Sequence, residues 1–511
     1  MRTIFLMLLV IPAAAAAQPD PLPAGQTGDI RRLTLNDAVE TALENNLGLR
    51  VTRLDTEIQD AGVAEARAAW VPTFTSVMQG GGSETPNNSF LSGALGPKTT
   101  DRRVSTNVGV GQALPWGGTY SVGWDSVRST TTNIFSNFSP QIRSSLALSV
   151  SQPLLRGFSI DAPRQQLLLS EKNREMADVT LRQAAAMTGR AVRLAYWDLV
   201  YARASLQVQV QSLELARQSL QNTRARIEIG TSAPVDAVEA EAEVATREEA
   251  VIVAEGQIAT AEDALRTLVY DPSMAGFWTL RIEPVSLPAV DTQPVDGDAA
   301  VRRALANRTD LQQTHKSLES ADISLRYLRN QTLPDVTASL DYSLTGLGGT
   351  QFERAAGFPG PIIGQTQRGF VDVLRDVFAN DFPSWTASLT VSYPIGAAPV
   401  ELNLARTRLE YAQLQAELRN RELQVTSEVR ETARQVATNQ RRIDTTRASR
   451  ILAERRLEAE ERKFSAGTST SFLVFQAQRD LAVARNNELR ALVDYSRSVV
   501  DFETVQEAPL Q

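Results

Sequence analysis

Residues 384–393 read SWTASLTVSY, and the order of large and small side chains in that stretch decides the fold. Trp385, Ala387, Leu389, Val391 and Tyr393 fall on one parity, Ser384, Thr386, Ser388, Thr390 and Ser392 on the other. A period of two marks a β-strand, whose successive side chains point to opposite faces. Ten such residues suffice to cross a bilayer when the strand is tilted. Residues 335–344, DVTASLDYSL, repeat the pattern: Val336, Ala338, Leu340, Tyr342 and Leu344 alternate with polar neighbours. Leu146, Leu148 and Val150 do the same earlier in the chain, and residues 73–78 give a weaker version. Residues 104–110 and 120–124 form a further candidate hairpin around Pro115, Trp116, Gly117 and Gly118, set either in the same wall or on a loop. Stretches 80–100, 129–140 and 346–383 are rich in Gly, Ser, Asn and Thr and read as external loops. Trp116, Trp124, Trp385 and Tyr393 lie near strand ends, where aromatic rings favour the water–lipid boundary; packing in a soluble sheet is the competing reading.

The rest of the chain has a different period. Residues 164–229 contain no proline and one glycine, Gly189; residues 400–507 contain no proline and one glycine, Gly467. Both are rich in Ala, Leu, Glu, Gln and Arg, the strongest helix formers. Val192, Leu199, Leu206, Leu213, Leu220 and Ile227 recur at steps of seven, the seam of a coiled coil. Ala195, Ala202 and Ala216 sit three residues further round and permit close helix approach. A helix of some 65 residues would be a rod on the order of 100 Å, far beyond the globular mean of about 12 residues. Gly230 and Gly467, each beside a Thr-Ser pair, read as the turns of two long hairpins.

The two periods occur twice in the same order. DAVETALENN at 37–46 matches AAVRRALANR at 299–308, an offset of 262, and Trp70-Val71-Pro72 matches Thr332-Leu333-Pro334 at the same offset. SVSQPLL at 149–155 matches TVSYPIG at 390–396 at 241, and IGTS at 229–232 matches AGTS at 466–469 at 237. Most of the shortening falls between the proline landmarks, where the first half is 21 residues longer, and loops absorb such insertions best. The chain therefore divides into a leader (1–17), a linker (18–32), a first repeat (33–270), a second linker (271–296), a second repeat (297–507) and a tail (508–511).

The leader has Arg2, an apolar core at 4–12 and small residues at 13–17, so cleavage is expected near Ala17 and the mature chain is exported. Nothing later is apolar for about 18 consecutive residues, which argues against membrane-spanning helices. With no cysteine and a single histidine, His315, the expectation is no disulfide, no lipidated cysteine and no metal site. A net charge of −7 argues against nucleic acid. No nucleophile elbow, phosphate loop or metal motif appears, so no catalytic residue and no cofactor is expected. His315 reads as exposed, and the runs Glu239, Glu241, Glu243 and Glu458, Glu460, Glu461 read as solvated helix faces.

Four to six strands per chain cannot close a membrane barrel, because the smallest barrels need about eight and an open edge in lipid leaves backbone groups unpaired. Several copies must share one barrel, and a heptad seam equally demands a partner surface. The fold class expected is an α+β membrane protein, internally duplicated: a transmembrane β-barrel shared between protomers and continued by a long periplasmic α-helical coiled-coil barrel. The rival is a periplasmic coiled-coil adaptor or scaffold without a membrane barrel, which accounts for the helices but not for the bilayer-length strands.

Over nearly its whole mature length the chain resembles the TolC-like outer-membrane efflux protein family. The resemblance rests on AVETALENN at 38–46, the strand starts after Pro72 and Pro334, SQPLLRGFS at 151–159, and two tip motifs, RIEIGTSAPVD at 226–236 and KFSAGTSTSFL at 463–473. It implies a homotrimer in outer-membrane lipid, with a twelve-stranded barrel at four strands per protomer and a tube of twelve helices. The implied partners are a periplasmic adaptor (membrane fusion) protein at the helix tips and an inner-membrane pump of the RND or ABC type. Energy comes from the pump and the duct conducts passively; the cargo stays open, because the pump selects it.

The resemblance also assigns residues. Adaptor contact is implied around a basic residue four before the turn glycine, here Arg226 with Gly230, Thr231 and Ser232, and Lys463 with Gly467, Thr468 and Ser469. A basic residue near a helix C-terminus followed by glycine is equally a capping feature. Family members narrow the periplasmic mouth with aspartates six and nine residues after the second turn glycine; this chain has Leu473 and Gln476 there. Phe472, Leu473 and Phe475 suggest an apolar constriction that gates by dewetting, with hairpin core as the alternative. Asp236, six after Gly230, is a further member of the mouth or an ordinary acid in a first helical turn.

Overall fold

The computed structural model describes residues 30–89, 92–93, 96–286, 288, 295–357, 359–395 and 399–506. The leader 1–17, most of the linker 18–32 and the tail 508–511 lie outside the described residues. In chain order the elements are β1 (Ile30–Leu33), α1 (Leu35–Asn45), α2 (Leu47–Arg67), β2 (Thr73–Pro86), β3 (Lys98–Ala113), β4 (Thr119–Thr131) and β5 (Phe138–Pro153). There follow α3 (Ala162–Glu228), α4 (Pro234–Val269), β6 (Arg281–Pro284), α5 (Gly297–Asn307), α6 (Thr309–Gln331), β7 (Asp335–Arg354) and β8 (Ile362–Arg368). The last are α7 (Phe370–Ala379), β9 (Pro383–Ser392), α8 (Pro399–Ser465) and α9 (Ser471–Val505). The plan of two helices, strands, a 67-residue helix and a helix of about half that length occurs twice. The two compact units cut across that plan. One takes the described residues of 30–46, 188–293 and 438–500, the other those of 47–187, 294–437 and 501–506, so α3 and α8 each contribute to both.

The second unit is built on an antiparallel sheet ordered β2-β3-β4-β5-β7, with β8 and β9 both beside β7. β9 pairs with residues 335–344 of β7 and β8 with residues 349–354, both on the side away from β5. The sheet is thus six strands wide, with β8 stacked end to end on β9. The resemblance implies four strands per protomer, whereas the sheet of this chain is six strands wide. The candidate hairpin at 104–124 is a full pair of strands within this sheet, β3 and β4, of 16 and 13 residues. Two of the expected loops shrink accordingly. β2 runs on to Pro86 and β4 to Thr131, and the 346–383 stretch holds the end of β7, β8 and α7 rather than a structureless loop. Physically, the glycines in those stretches sit in ladders whose backbone bonds do not depend on side chains.

The alternation read from residues 335–344 and 384–393 survives in register. Tyr342 lies opposite Trp385, Leu340 opposite Ala387, Ala338 opposite Leu389 and Val336 opposite Val391, all on one face. Asp341, Ser339 and Thr337 oppose Thr386, Ser388 and Thr390 on the other. Below the sheet, α5, α6 and α8 close a small core of Ala300, Ala304, Leu311, Val425 and Val429. Where α3 meets α6, Lys172 and Lys316 each pair with both Glu175 and Glu319. In that square hydrogen bonds from the opposite charges hold both carboxyls below their usual range and both ammonium groups above it.

The first unit holds the larger core. Leu33, Val39, Val192, Tyr196, Leu199, Leu265, Val269 and Ile282 are buried together around a two-stranded parallel pair, β1 with β6. The Tyr196 hydroxyl donates to the Leu33 carbonyl and accepts from the Ser286 amide, satisfying a buried polar tip. Thr34 caps α1 through a reciprocal bond with Asp37. Along α3 the heptad positions Val192, Leu199 and Leu213 are buried and Leu206, Leu220 and Ile227 half-buried, with Ala202 and Ala216 buried beside them. Among the described residues no helix is long and apolar enough to cross a membrane.

Candidate functional site: the hairpin tips

Both long helices end in one geometry. In the first, the Gly230 amide donates to Ile227 at 3.0 Å and the Thr231 amide to Arg226 at 2.8 Å; in the second, Gly467 donates to Phe464 at 3.1 Å and Thr468 to Lys463 at 2.9 Å. This is the paired six-to-one and five-to-two closure of a helix on a left-handed residue. Gly230 and Gly467 have φ of 76° and 73°, and a Cβ at either would meet nothing within 4 Å, so backbone conformation rather than crowding selects glycine there. The Thr231 and Thr468 hydroxyls add a second bond to the same carbonyls, each at 3.1 Å. The basic residue four before each glycine is therefore the one whose carbonyl the turn closes on.

From there the tips diverge. Arg226 donates to the Phe464 carbonyl at 3.0 Å and stands 4.1 Å from the centroid of the Phe464 ring, tying the first tip to the second. Lys463 is exposed and donates to Glu460 at 2.8 Å. Ser469 donates to the same carboxylate at 2.8 Å, and the two together, Lys463 foremost, hold Glu460 below the usual carboxylate range. Ser232 is half-buried, while Asp236 accepts from the Ala233 amide at 3.3 Å and caps its own helix. Of the constriction candidates, Phe472 (56 % exposed), Leu473 (39 %) and Gln476 lie on the outer face of α9, and Phe475 (3 %) is buried. Phe475 thus takes the hairpin-core place that stood as the alternative to an apolar mouth, and Phe472, one turn before it on α9, lies at the exposed edge of that buried stripe.

Sequence reasoning missed two features. Glu243 is not on a solvated face. It is 4 % exposed, with Arg247 at 2.7 Å from one carboxylate oxygen and Arg479 of α9 at 2.7 Å from the other. Glu239 and Glu241 are exposed as expected, Glu241 pairing with Arg224. Ile229, Val235 and Val238 form an exposed apolar cluster at the first tip, legible in retrospect as apolar residues placed around a turn. His315 is exposed. No residue near the tips is arranged for nucleophilic or acid–base chemistry.

A sheet with one apolar and one polar face, in a chain that also forms long coiled-coil hairpins, belongs to the class of membrane channels. The chain belongs to the outer membrane efflux protein family, whose model matches residues 38–269 and 300–504. It is 24 % identical over 303 residues to the outer membrane efflux protein BepC of Brucella suis biovar 1; that match takes in 59 % of this chain and spans about half the relative, 53 % of its length. The fold is shared with the CmeC outer membrane channel of Campylobacter jejuni (TM-score 0.65, 15 % identity, 92 % of this chain and 85 % of that one). It is shared also with the MtrE outer membrane channel of Neisseria gonorrhoeae in its open state (TM-score 0.60, 16 % identity, 92 % and 88 %).

Proposed function

We propose that the protein is the outer-membrane duct of a tripartite export system, formed by three copies of an internally duplicated chain. The observation that carries this reading is the two-faced sheet with unpaired strands at both edges. In lipid such edges must find partners, and copies of the same chain supply them. The family is one of channels, so the duct is passive and catalyses nothing. Cargo arrives from an inner-membrane pump, and a periplasmic adaptor seats on the hairpin tips, where Ile229, Val235, Val238 and Phe472 leave apolar surface exposed. A groove of about 890 Å³ in the first unit, lined by Ala195, Ala202, Gly256 and Ala261, leaves room for a helix of a neighbouring protomer. The duct opens when the hairpins at the tips move apart.

The native mass of the mature chain, extracted in detergent from the outer-membrane fraction, tests the reading. A species three times the monomer supports the duct; a soluble periplasmic monomer sinks it in favour of the scaffold. Arg226→Glu removes the cation that holds Phe464 and places a second carboxylate two residues from Glu228. Export is expected to fall about tenfold, with the trimer in the outer membrane at wild-type amount. Loss of the trimer would reassign Arg226 to folding alone.

A further inference from the structure

The wall strand pair β3–β4 has consequences for the bore. Its side chains continue the two-faced pattern of the neighbouring strands. Phe74 lies opposite Val110, Val110 opposite Val122, Val122 opposite Leu148, Leu148 opposite Tyr342 and Tyr342 opposite Trp385, so one row of apolar side chains crosses every strand from β2 to β9. On the other face Asn107 lies opposite Asp125, Asp125 opposite Ser145, and Ser121 opposite Ser149. A hairpin that merely decorated a loop in water would have no reason to keep an apolar face in register with lipid-facing strands.

Its height also matches the wall. The β3–β4 turn closes between Leu114 and Gly118, and it packs on the segment where β5 hands over to α3. Gly117 has φ of 91°, and a Cβ there would come within 2.8 Å of both the Arg164 guanidinium and the Gly157 carbonyl. The opposite end of the pair is laddered as far as Lys98 against β2. The pair therefore spans the sheet from its helical border to its outer loops.

Direction completes the case. Every neighbouring pair in the sheet is antiparallel, so six strands alternate and β2 and β9 run oppositely. A β9 edge can then meet the β2 edge of another copy in antiparallel register, and the alternation holds all the way round. β8 leaves this unchanged because it extends β9 lengthwise rather than adding a seventh place.

We propose that β3–β4 is a bore-widening insertion, and that three copies close an eighteen-stranded barrel where four strands per protomer would close twelve. The inference rests on the trimeric duct reading. Barrel diameter grows about linearly with strand number; at ~4.8 Å between strands and a tilt of ~40° the ring of Cα atoms is about 36 Å across for eighteen strands and about 24 Å for twelve. Eighteen strands fall in the size class that leaves an open aqueous channel. The outer-membrane segment then ceases to be the narrow part, and the cargo class it suits is bulky: large amphiphiles or polypeptide rather than ions alone.

Cryo-electron microscopy of the mature chain in lipid nanodiscs counts the strands directly. A three-fold ring of eighteen strands about 36 Å across is expected. A trimer with twelve strands and residues 98–131 folded outside the wall overturns this inference and leaves the duct intact, whereas absence of a closed trimer overturns the duct itself. A chain lacking residues 98–131 is a second measurement. It leaves β2 antiparallel to β5, so it is expected to assemble with a ring about one third narrower; an unchanged diameter would place β3–β4 outside the wall.

Discussion

Arginine in place of Leu389 is expected to abolish the assembled trimer, and arginine in place of the adjacent Ser388 is expected to leave it standing. The two positions are one residue apart on β9 and face opposite ways. Leu389 lies across from Ala338 on the apolar face, and Ser388 across from Ser339, their hydroxyls 3.3 Å apart, on the polar one. Both are near the middle of a strand of ten residues, where lipid is thickest. A lipid-facing arginine there costs about 2–4 kcal/mol, and three copies in a closed ring raise that to on the order of 10 kcal/mol. That is comparable to the whole stability of an ordinary domain. A lumenal arginine meets water and costs little, while it changes the charge of the bore. The trimer band in the outer-membrane fraction, read on gels before and after heating, is the measurement. If both variants assemble, the sheet does not sit in lipid; if Ser388→Arg fails and Leu389→Arg succeeds, the faces are reversed.

That single-residue contrast was legible in the sequence because parity is the one property of a strand that side chains write directly. The ladder keeps Tyr342 with Trp385 and Asp341 with Thr386, as alternation in residues 335–344 and 384–393 requires. The helical hairpins were legible for a similar reason, since residues 164–229 and 400–465 hold no proline and have few alternatives to helix, and Gly230 and Gly467 mark where each helix stops. The β3–β4 pair was only half legible. Gly109, Gly111 and Gly123 occupy its polar face and break the run of β-formers, so its membership of the sheet is decided by pairing with β2 and β5 rather than by its own residues. The 21 extra residues of the first half were visible as a shifted offset, but an offset does not tell loop from strand.

Inside the presumed loop 346–383 the sequence FVDVLRDVFA did carry a helical signal. Val373, Asp376 and Val377 recur at helical spacing and are the buried face of α7, with Asp372 capping its start. The surrounding glycines masked it. At the tips, the sequence named the turn residues but not their neighbours. Arg226 reaches Phe464 across 238 positions and Glu243 reaches Arg479 across 236, separations that no local pattern encodes.

Glu243→Gln is expected to make the closed duct leak. Glu243 belongs to α4 of the first hairpin and Arg479 to α9 of the second, so the pair joins the two hairpins. Arg247, four residues along α4, is 14 % exposed in its side chain and shares the same carboxylate. Removing the charge therefore strips one half-exposed and one nearly buried cation of their partner. Breaking a buried pair costs about 3–5 kcal/mol, but Arg479 is more than half exposed and solvent screens its share, which brings the expected loss to about 2 kcal/mol. If the brace opposes separation of the hairpins, that loss shifts the closed-to-open ratio by about thirtyfold. Uptake of an antibiotic too large for porins, in cells whose pump is deleted, reports the open fraction without any contribution from export. Arg479→Gln alone is expected to leak less, because Glu243 keeps Arg247. The double variant is expected to leak no more than Glu243→Gln, since two residues acting through one bond do not add. A leak in the double variant equal to the product of the two singles would show independent contributions. No leak in Glu243→Gln, at normal trimer level, would remove the brace from the gating mechanism and leave it a packing feature of the hairpins.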